Sequence, residues 1–208
     1  MKINIFQNYY LSDNEARNIE LVECNTRNAM LSYYSDDVYF HVTKHRFTFN
    51  EFFEMTMDYP NDINIVANSD IYFTQSCIHR IEMFFKNIPN PNKTCVALSR
   101  HDLDSEGNEV LFNRVDSQDA WCFFGQVPKV QGADFYVGGI AGCDNKIAYL
   151  LQKEGYALFN PSMDIKIIHL HDSKYRTWNT PNNLKEQLQP PFAYVLPCRI
   201  ADIIKTPI

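Results

Sequence analysis

Ile63-Asn64-Ile65-Val66-Ala67-Asn68-Ser69-Asp70 is the stretch on which the fold turns. Its first five residues read as a strand, and the run stops abruptly in three polar residues that favour turns. Just upstream, Thr48-x-x-Glu51 is a capping box. Phe49, Phe52, Phe53 and Met57 form the apolar side of a short helix that ends before Pro60. Just downstream, Thr74 can cap a helix carrying Ile78, Ile81, Met83 and Phe85, and the Pro89/Pro91 loop leads into a strand at Thr94–Leu98. At the start of the chain, Ile3, Ile5 and Tyr9 alternate with polar residues. Ser12-x-x-Glu15 then opens a helix through about Cys24, and Ala29-Met30-Leu31-Ser32-Tyr33-Tyr34 reads as a second strand ending in Asp36-Asp37. Three strand-helix units in succession argue for an α/β fold, a mostly parallel central sheet with helices on both faces.

The second half reads as richer in β structure. A turn at Asp104–Asn108 precedes Val110-Leu111-Phe112 and Ala120–Phe124, possible antiparallel strands. A helix from about Asp144 to Lys153 places Ile147, Leu150 and Leu151 inward and stops at Gly155, and strands at Tyr156–Phe159 and Ile165–Leu170 follow. The prolines Pro181, Pro190, Pro191 and Pro197 break up a loosely structured tail. The expected organisation is one domain over 1–208. Residues 1–115 and 116–178 form its two halves, and 179–208 its proline-rich tail.

With 208 residues, 45% of them hydrophobic, the chain can close a core without staples. A net charge of −6 with scattered Lys and Arg disfavours nucleic acid or an anionic membrane as partner. The six cysteines show no C-x-x-C or zinc-module spacing and read as reduced, mostly buried thiols. Asn4 and Gln7 interrupt the N-terminal apolar run, so it does not read as a signal segment, and no stretch reaches the length of a membrane span. A soluble, cytoplasmic protein is the expectation.

Ligands of parallel sheets bind at the carboxyl ends of the strands. Gln7-Asn8, Asp36-Asp37 and Asn68-Ser69-Asp70 are the polar clusters expected there. Asp70 can ligate a divalent ion while a neighbour orients a ribose hydroxyl, although Asn-Ser-Asp is also ordinary turn chemistry. His169-Leu170-His171 places two imidazoles on one side of a strand, where at least one can reach an ion held by Asp70. Asp116-Ser117-Gln118-Asp119-Ala120-Trp121 combines acids, an amide and an aromatic ring in a composition that grips sugars; it suits a loop beside a core tryptophan equally well. Gly138-Gly139-Ile140-Ala141-Gly142-Cys143-Asp144 puts Asp144 at a helix N-terminus, as a cap or as a general base. These glycines match neither G-x-G-x-x-G nor a Walker loop. Arg46 can contact a phosphate, pair with Asp36 or Asp37, or simply be solvated.

Taken in order, several motifs resemble a family of small A-type glycosyltransferases found in bacteria and large algal viruses, most closely the transferase domains of chlorella viruses. They are Phe6-Gln7-Asn8-Tyr9, Arg46-Phe47-Thr48-Phe49, Asn68-Ser69-Asp70-Ile71-Tyr72-Phe73, Leu98-Ser99-Arg100, Asp116–Trp121, Gly142–Tyr149, Asn160-Pro161-Ser162 and His169–Ser173 with Arg176. The resemblance covers roughly residues 1–178. It implies the nucleotide-diphospho-sugar transferase fold, a UDP-sugar donor, a glycan acceptor and Mn²⁺ or Mg²⁺ held by a D-x-D type motif. Here that motif is Asn68-Ser69-Asp70, with Asn in place of the usual first Asp. Carried over residue by residue, Asp70 is the acidic metal ligand, with His171 and then His169 as imidazole ligands. Gln7, Asn8, Asp37, Arg46, Asn68 and Ser69 fall on the nucleotide side, and Asp119 and Asp144 on the sugar and acceptor side as catalytic candidates. A sugar nucleotidyltransferase shares the sheet and metal logic but usually has a glycine-rich basic loop after the first strand, where this chain has Asn8-Tyr9-Tyr10-Leu11-Ser12. A glycan-binding module without catalysis is the third reading.

Overall fold

In a computed structural model, residues 1–173, 175 and 187–204 are described. Arg176 and Pro181 lie outside them. The elements in order are β1 (Ile3–Asn8), α1 (Glu15–Tyr34), β2 (Val38–Thr43), α2 (Phe49–Thr56), β3 (Ile63–Ala67), β4 (Ile71–Tyr72), α3 (Gln75–Asn87), β5 (Thr94–Leu98), β6 (Arg100–Leu103), β7 (Glu109–Leu111), β8 (Ala120–Phe124), α4 (Cys143–Lys153), β9 (Ala157–Phe159), β10 (Ile167–His169) and α5 (Ile200–Ile203).

The central sheet has the order β2-β1-β3-β8-β5-β9. β1 is parallel to β2 and β3, β5 is parallel to β9, and β8 runs antiparallel between β3 and β5. Five of the six strands therefore share one direction, so the sheet is mixed but mostly parallel. Strand alternation sends Ile63, Ile65, Val96, Leu98 and Cys122 to one face, where α3 and Leu31 of α1 cover them. Val66, Ala97, Trp121 and Phe123 go to the other face, packed by Phe49, Phe52 and Phe53 of α2 and by Ile147, Ala148 and Leu151 of α4. Helices on both faces explain why β1, β3 and β5 are buried along their whole length. A smaller sheet, β4-β10-β6-β7, flanks the carboxyl end of β3. Because β8 lies between β3 and β5, the stretches before and after residue 115 share one sheet.

Several expectations are corrected. Residues 29–34 are not a strand: α1 continues to Tyr34, since Arg17, Leu21, Cys24, Asn28 and Leu31 keep a helical spacing of buried positions. Two of those five are polar, which hides the period in the sequence. The second strand is instead Val38–Thr43, so Asp36 and Asp37 precede it. The Asp37 carbonyl accepts from Ile3 N–H at the amino ends of β1 and β2, the end of the sheet opposite Asn8.

The cap of α1 is Asn14, whose side chain accepts from Arg17 N–H at 2.9 Å; Ser12 Oγ accepts from Asn14 N–H instead. Trp121 is a core residue, packed edge-on to Phe49. Within the tail, residues 187–204 are packed rather than loose. Leu188, Ala193, Val195 and Cys198 donate backbone N–H groups to the carbonyls of Ala141, Asn145, Val115 and Asn160, while Ala193 and Val195 join the core. Proline lacks this donor, and the residues around the prolines supply it.

The Thr48–Glu51 capping box and the Thr74 cap form as read. Met83, however, is half-exposed on α3, where Phe84 is buried. All six cysteines are free, five of them buried.

Candidate functional site

A cavity of about 1060 Å³ opens at the carboxyl ends of β1, β3 and β10, beside the first residue of β8 and the glycine-rich run before α4. Its floor is the Asn68–Asp70 turn, and several side chains hold that turn from behind. Gln7 is fully buried. Its Nε2 donates to the carbonyls of Asn68 and Ile71, and its Oε1 accepts from Asn28. Gln7 is thus a brace beneath the turn and does not line the cavity. Ser69 Oγ donates to the Asn8 carbonyl at 2.7 Å, which ties the turn to the end of β1.

Asp70 stands at the centre. Its Oδ2 lies 2.6 Å from Arg17 Nη2, 3.2 Å from His169 Nε2 and 3.8 Å from His171 Nδ1. Burial alone would raise its pKa, but the His169 hydrogen bond and the Arg17 charge hold it well below the usual carboxylate range. His169 Nδ1 meets Asp102 Oδ1 at 2.7 Å, so both ring nitrogens face carboxylates. Burial opposes the imidazolium, yet these two bonds prevail and push its pKa up to about 9. Arg17 Nη1 lies 2.8 Å from His171 Nδ1. A guanidinium only donates, so Nδ1 accepts and the ring proton sits on Nε2. That Nε2 is buried and meets no partner among the described residues. The two imidazole rings stack, with centroids 5.3 Å apart, as their i, i+2 spacing predicts.

Asp70, His169 and His171 each present a ligand atom, all within 4.8 Å of one another. The Asp102 bond to His169 Nδ1 leaves Nε2 as its ligand atom, the usual way a metal-binding imidazole is oriented. The His171 lone pair is on Nδ1, 3.8 Å from Asp70 Oδ2. Two imidazoles beside one carboxylate suit a borderline transition ion better than Mg²⁺, which prefers an all-oxygen shell. The residues therefore fit a divalent ion.

A second acidic group lies beyond Arg100. Arg100 Nε bonds Asp102 at 3.0 Å, and Nη1 sits 3.4 Å from Asp119, whose Oδ1 also accepts from Asn68 Nδ2 at 3.0 Å. Burial raises the Asp119 pKa against the pull of Arg100. Asp144, in the first turn of α4, is partly accessible from the cavity. Its desolvated surroundings, with the Asp119 charge added, push its carboxyl up to about 7.

Arg46 lines the cavity. It donates to the Gly138 carbonyl at 2.6 Å and lies over the Tyr136 ring, with neither Asp36 nor Asp37 as partner. Gly138 has φ +67°, and a Cβ there would run into Asn68 Oδ1. The glycine run is therefore a tight wall closing over the turn.

Of the residues singled out from sequence, the cavity gathers Asn8, Arg46, Asn68, Ser69, Asp70, Asp119, Asp144, His169 and His171. Gln7 sits behind it and Asp37 at the other end of the sheet. Sequence reasoning missed Arg17, Glu20 and Asp102. Only their meeting across β4, β6, β10 and α1 marks them, although a cap at Asn14 would have placed Arg17 at the exposed start of a helix. No family model matches the chain, and no curated protein does.

Proposed function

We propose that the chain is a metal-dependent glycosyltransferase that moves a sugar from a UDP-sugar donor to a hydroxyl of a glycan acceptor. The observation that carries this reading is the convergence on one cavity of a carboxylate-imidazole group, Asp70/His169/His171, and two further carboxylates, buried Asp119 and partly accessible Asp144. The order of motifs that resembles A-type glycosyltransferases supports it, as does the mixed, mostly parallel sheet.

Asp70, His169 and His171 would hold the ion, which supplies positive charge to a diphosphate leaving group when bound. Arg46, whose only polar partner among the described residues is a backbone carbonyl, adds a cation on the same wall for phosphate oxygens. Asn68 keeps Asp119 oriented. Its amide donates where an aspartate would repel, which accounts for Asn at the first position of the motif. Asp144, with its pKa near neutrality, accepts the proton of the acceptor hydroxyl if configuration inverts. In a retaining reaction its charge, with that of Asp119, would face the oxocarbenium-like centre instead.

The test is calorimetric titration of UDP and of GDP into metal-free protein, repeated with Mn²⁺, followed by assays of donor hydrolysis and transfer. UDP binding that requires the ion, and that Asp70→Asn lowers by about a hundredfold or more, is the expected result. Absence of nucleotide binding under both conditions removes the transferase reading and leaves the glycan-binding module. A fully active Asp70→Asn removes the metal assignment alone.

A further inference from the structure

The Arg17 guanidinium already occupies the space that an ion at Asp70 would need. Its Nη2 donates to Asp70 Oδ2 at 2.6 Å, and its Nη1 takes the one lone pair of His171 Nδ1 at 2.8 Å. Asp70 Oδ2 is also the oxygen nearest His169 Nε2. A divalent ion binds such atoms at roughly 2.0–2.3 Å, closer than the guanidinium nitrogens and in the space their N–H bonds now fill. A +2 ion and a +1 guanidinium on one oxygen also repel strongly at this burial, since the Arg17 and Asp70 side chains are 7% and 14% exposed.

Arg17 is held in this position deliberately. It stands in the first turn of α1, with Asn14 capping its own N–H, and Nη1 is further bonded to Glu20 Oε2 at 3.0 Å and the Leu170 carbonyl at 3.3 Å. Glu20 in turn accepts from Ser173 N–H at 2.5 Å and Ser173 Oγ at 2.9 Å. Arg17 and Glu20 together therefore clasp α1 to the segment that follows the two histidines.

We infer that Arg17 and a divalent ion exclude one another at Asp70, so that Arg17 is the resident cation of the metal-free site and the group an incoming ion displaces. The inference rests on reading Asp70, His169 and His171 as a metal centre. It goes beyond that reading by assigning a competitor within the chain itself. Displacement swings the guanidinium toward the cavity that Arg17 already lines, where an anionic ligand can receive it.

Titration of Mn²⁺ alone into wild type, Arg17→Met and Arg17→Lys tests it. Methionine keeps the apolar stem without the charge, and lysine keeps the charge without the fork that spans two ligand atoms. Arg17→Met should bind the ion roughly ten- to a hundredfold more tightly than wild type, with Arg17→Lys between them. Equal or weaker binding by Arg17→Met overturns this inference while leaving the metal centre standing. Failure of all three to bind overturns both.

A second measurement needs no variant to fold. The Arg17 Nε–H nuclear magnetic resonance signal of the wild-type chain should move as diamagnetic Zn²⁺ is added. A signal that stays in place while Zn²⁺ binds overturns the inference.

Discussion

Asp144 faces two influences that push in the same direction, removal from water and the negative charge of Asp119, and its carboxyl titrates at about 7 instead of near 3.8. The folded chain therefore keeps a proton on Asp144 that the unfolded chain gives up. Stability contributed by that proton is complete below the unfolded pKa, declines as pH rises from about 4 to about 7, and is gone above. Asp144→Asn removes this slope. In urea melts, the variant's stability relative to wild type should rise between about pH 4 and about pH 8, and an unchanged difference would show that Asp144 titrates normally. In the proposed inverting reaction, wild-type turnover should rise with pH through about 7, and Asp144→Asn should lose roughly a hundredfold or more of it with the pH limb abolished.

At the scale of the element, the start of α1 is where local helix chemistry sets the geometry of the site. With Asn14 as cap, Arg17 is the third helical residue and leans over the carboxyl end of β3 toward Asp70. Asn14→Ala should cost about 1 kcal/mol in thermal or chemical unfolding. Because the same cap positions Arg17, the variant should also bind Mn²⁺ more tightly than wild type under the competition argued above. A loss of stability without any change in metal affinity would separate the two roles. The same element shows why part of the fold was hard to read: Arg17 and Asn28 occupy buried positions of α1, so its apolar stripe is broken where the Ala29–Tyr34 run resembles a strand. Asn28 is buried because Phe73 N–H, the Ile71 carbonyl and Gln7 supply every bond its amide needs.

Across the whole molecule, a buried polar knot joins the central sheet to the tail. Asn160 Oδ1 accepts from Ser99 N–H and Ser162 Oγ, and its Nδ2 donates to Ser99 Oγ and the Val195 carbonyl. Ser99 Oγ reaches the Ser117 carbonyl, in the loop that leads to Asp119. The tail then runs past Asn145 and brings Phe192 and Tyr194 to the cavity wall. Asn160→Ala strips several buried partners at once and should lower stability by about 2–3 kcal/mol. It should also raise protease sensitivity within residues 187–204, and a normal digestion pattern would show that the tail is held by its apolar contacts alone.

Local chemistry in the sequence determined the strand-helix alternation, the caps at Thr48 and Thr74, the β1, β3, β5 and β8 runs, and the Asn68–Asp70 turn that floors the cavity. Caps, turns and short apolar strands depend on neighbours a few residues apart, so they are written in contiguous residues. The pairing of Asp70 with His169 and His171 was also legible, because turn and strand-end positions point one way. The tertiary structure alone decided that β8 is inserted between β3 and β5, that Asp37 faces the far end of the sheet while Gln7 braces the turn from beneath, and that Arg17 and Asp102 complete the polar centre. Each of these depends on contacts between residues tens of positions apart. Whether a buried polar side chain is a ligand, a brace or an internal counter-ion follows from the partners that the fold brings to it.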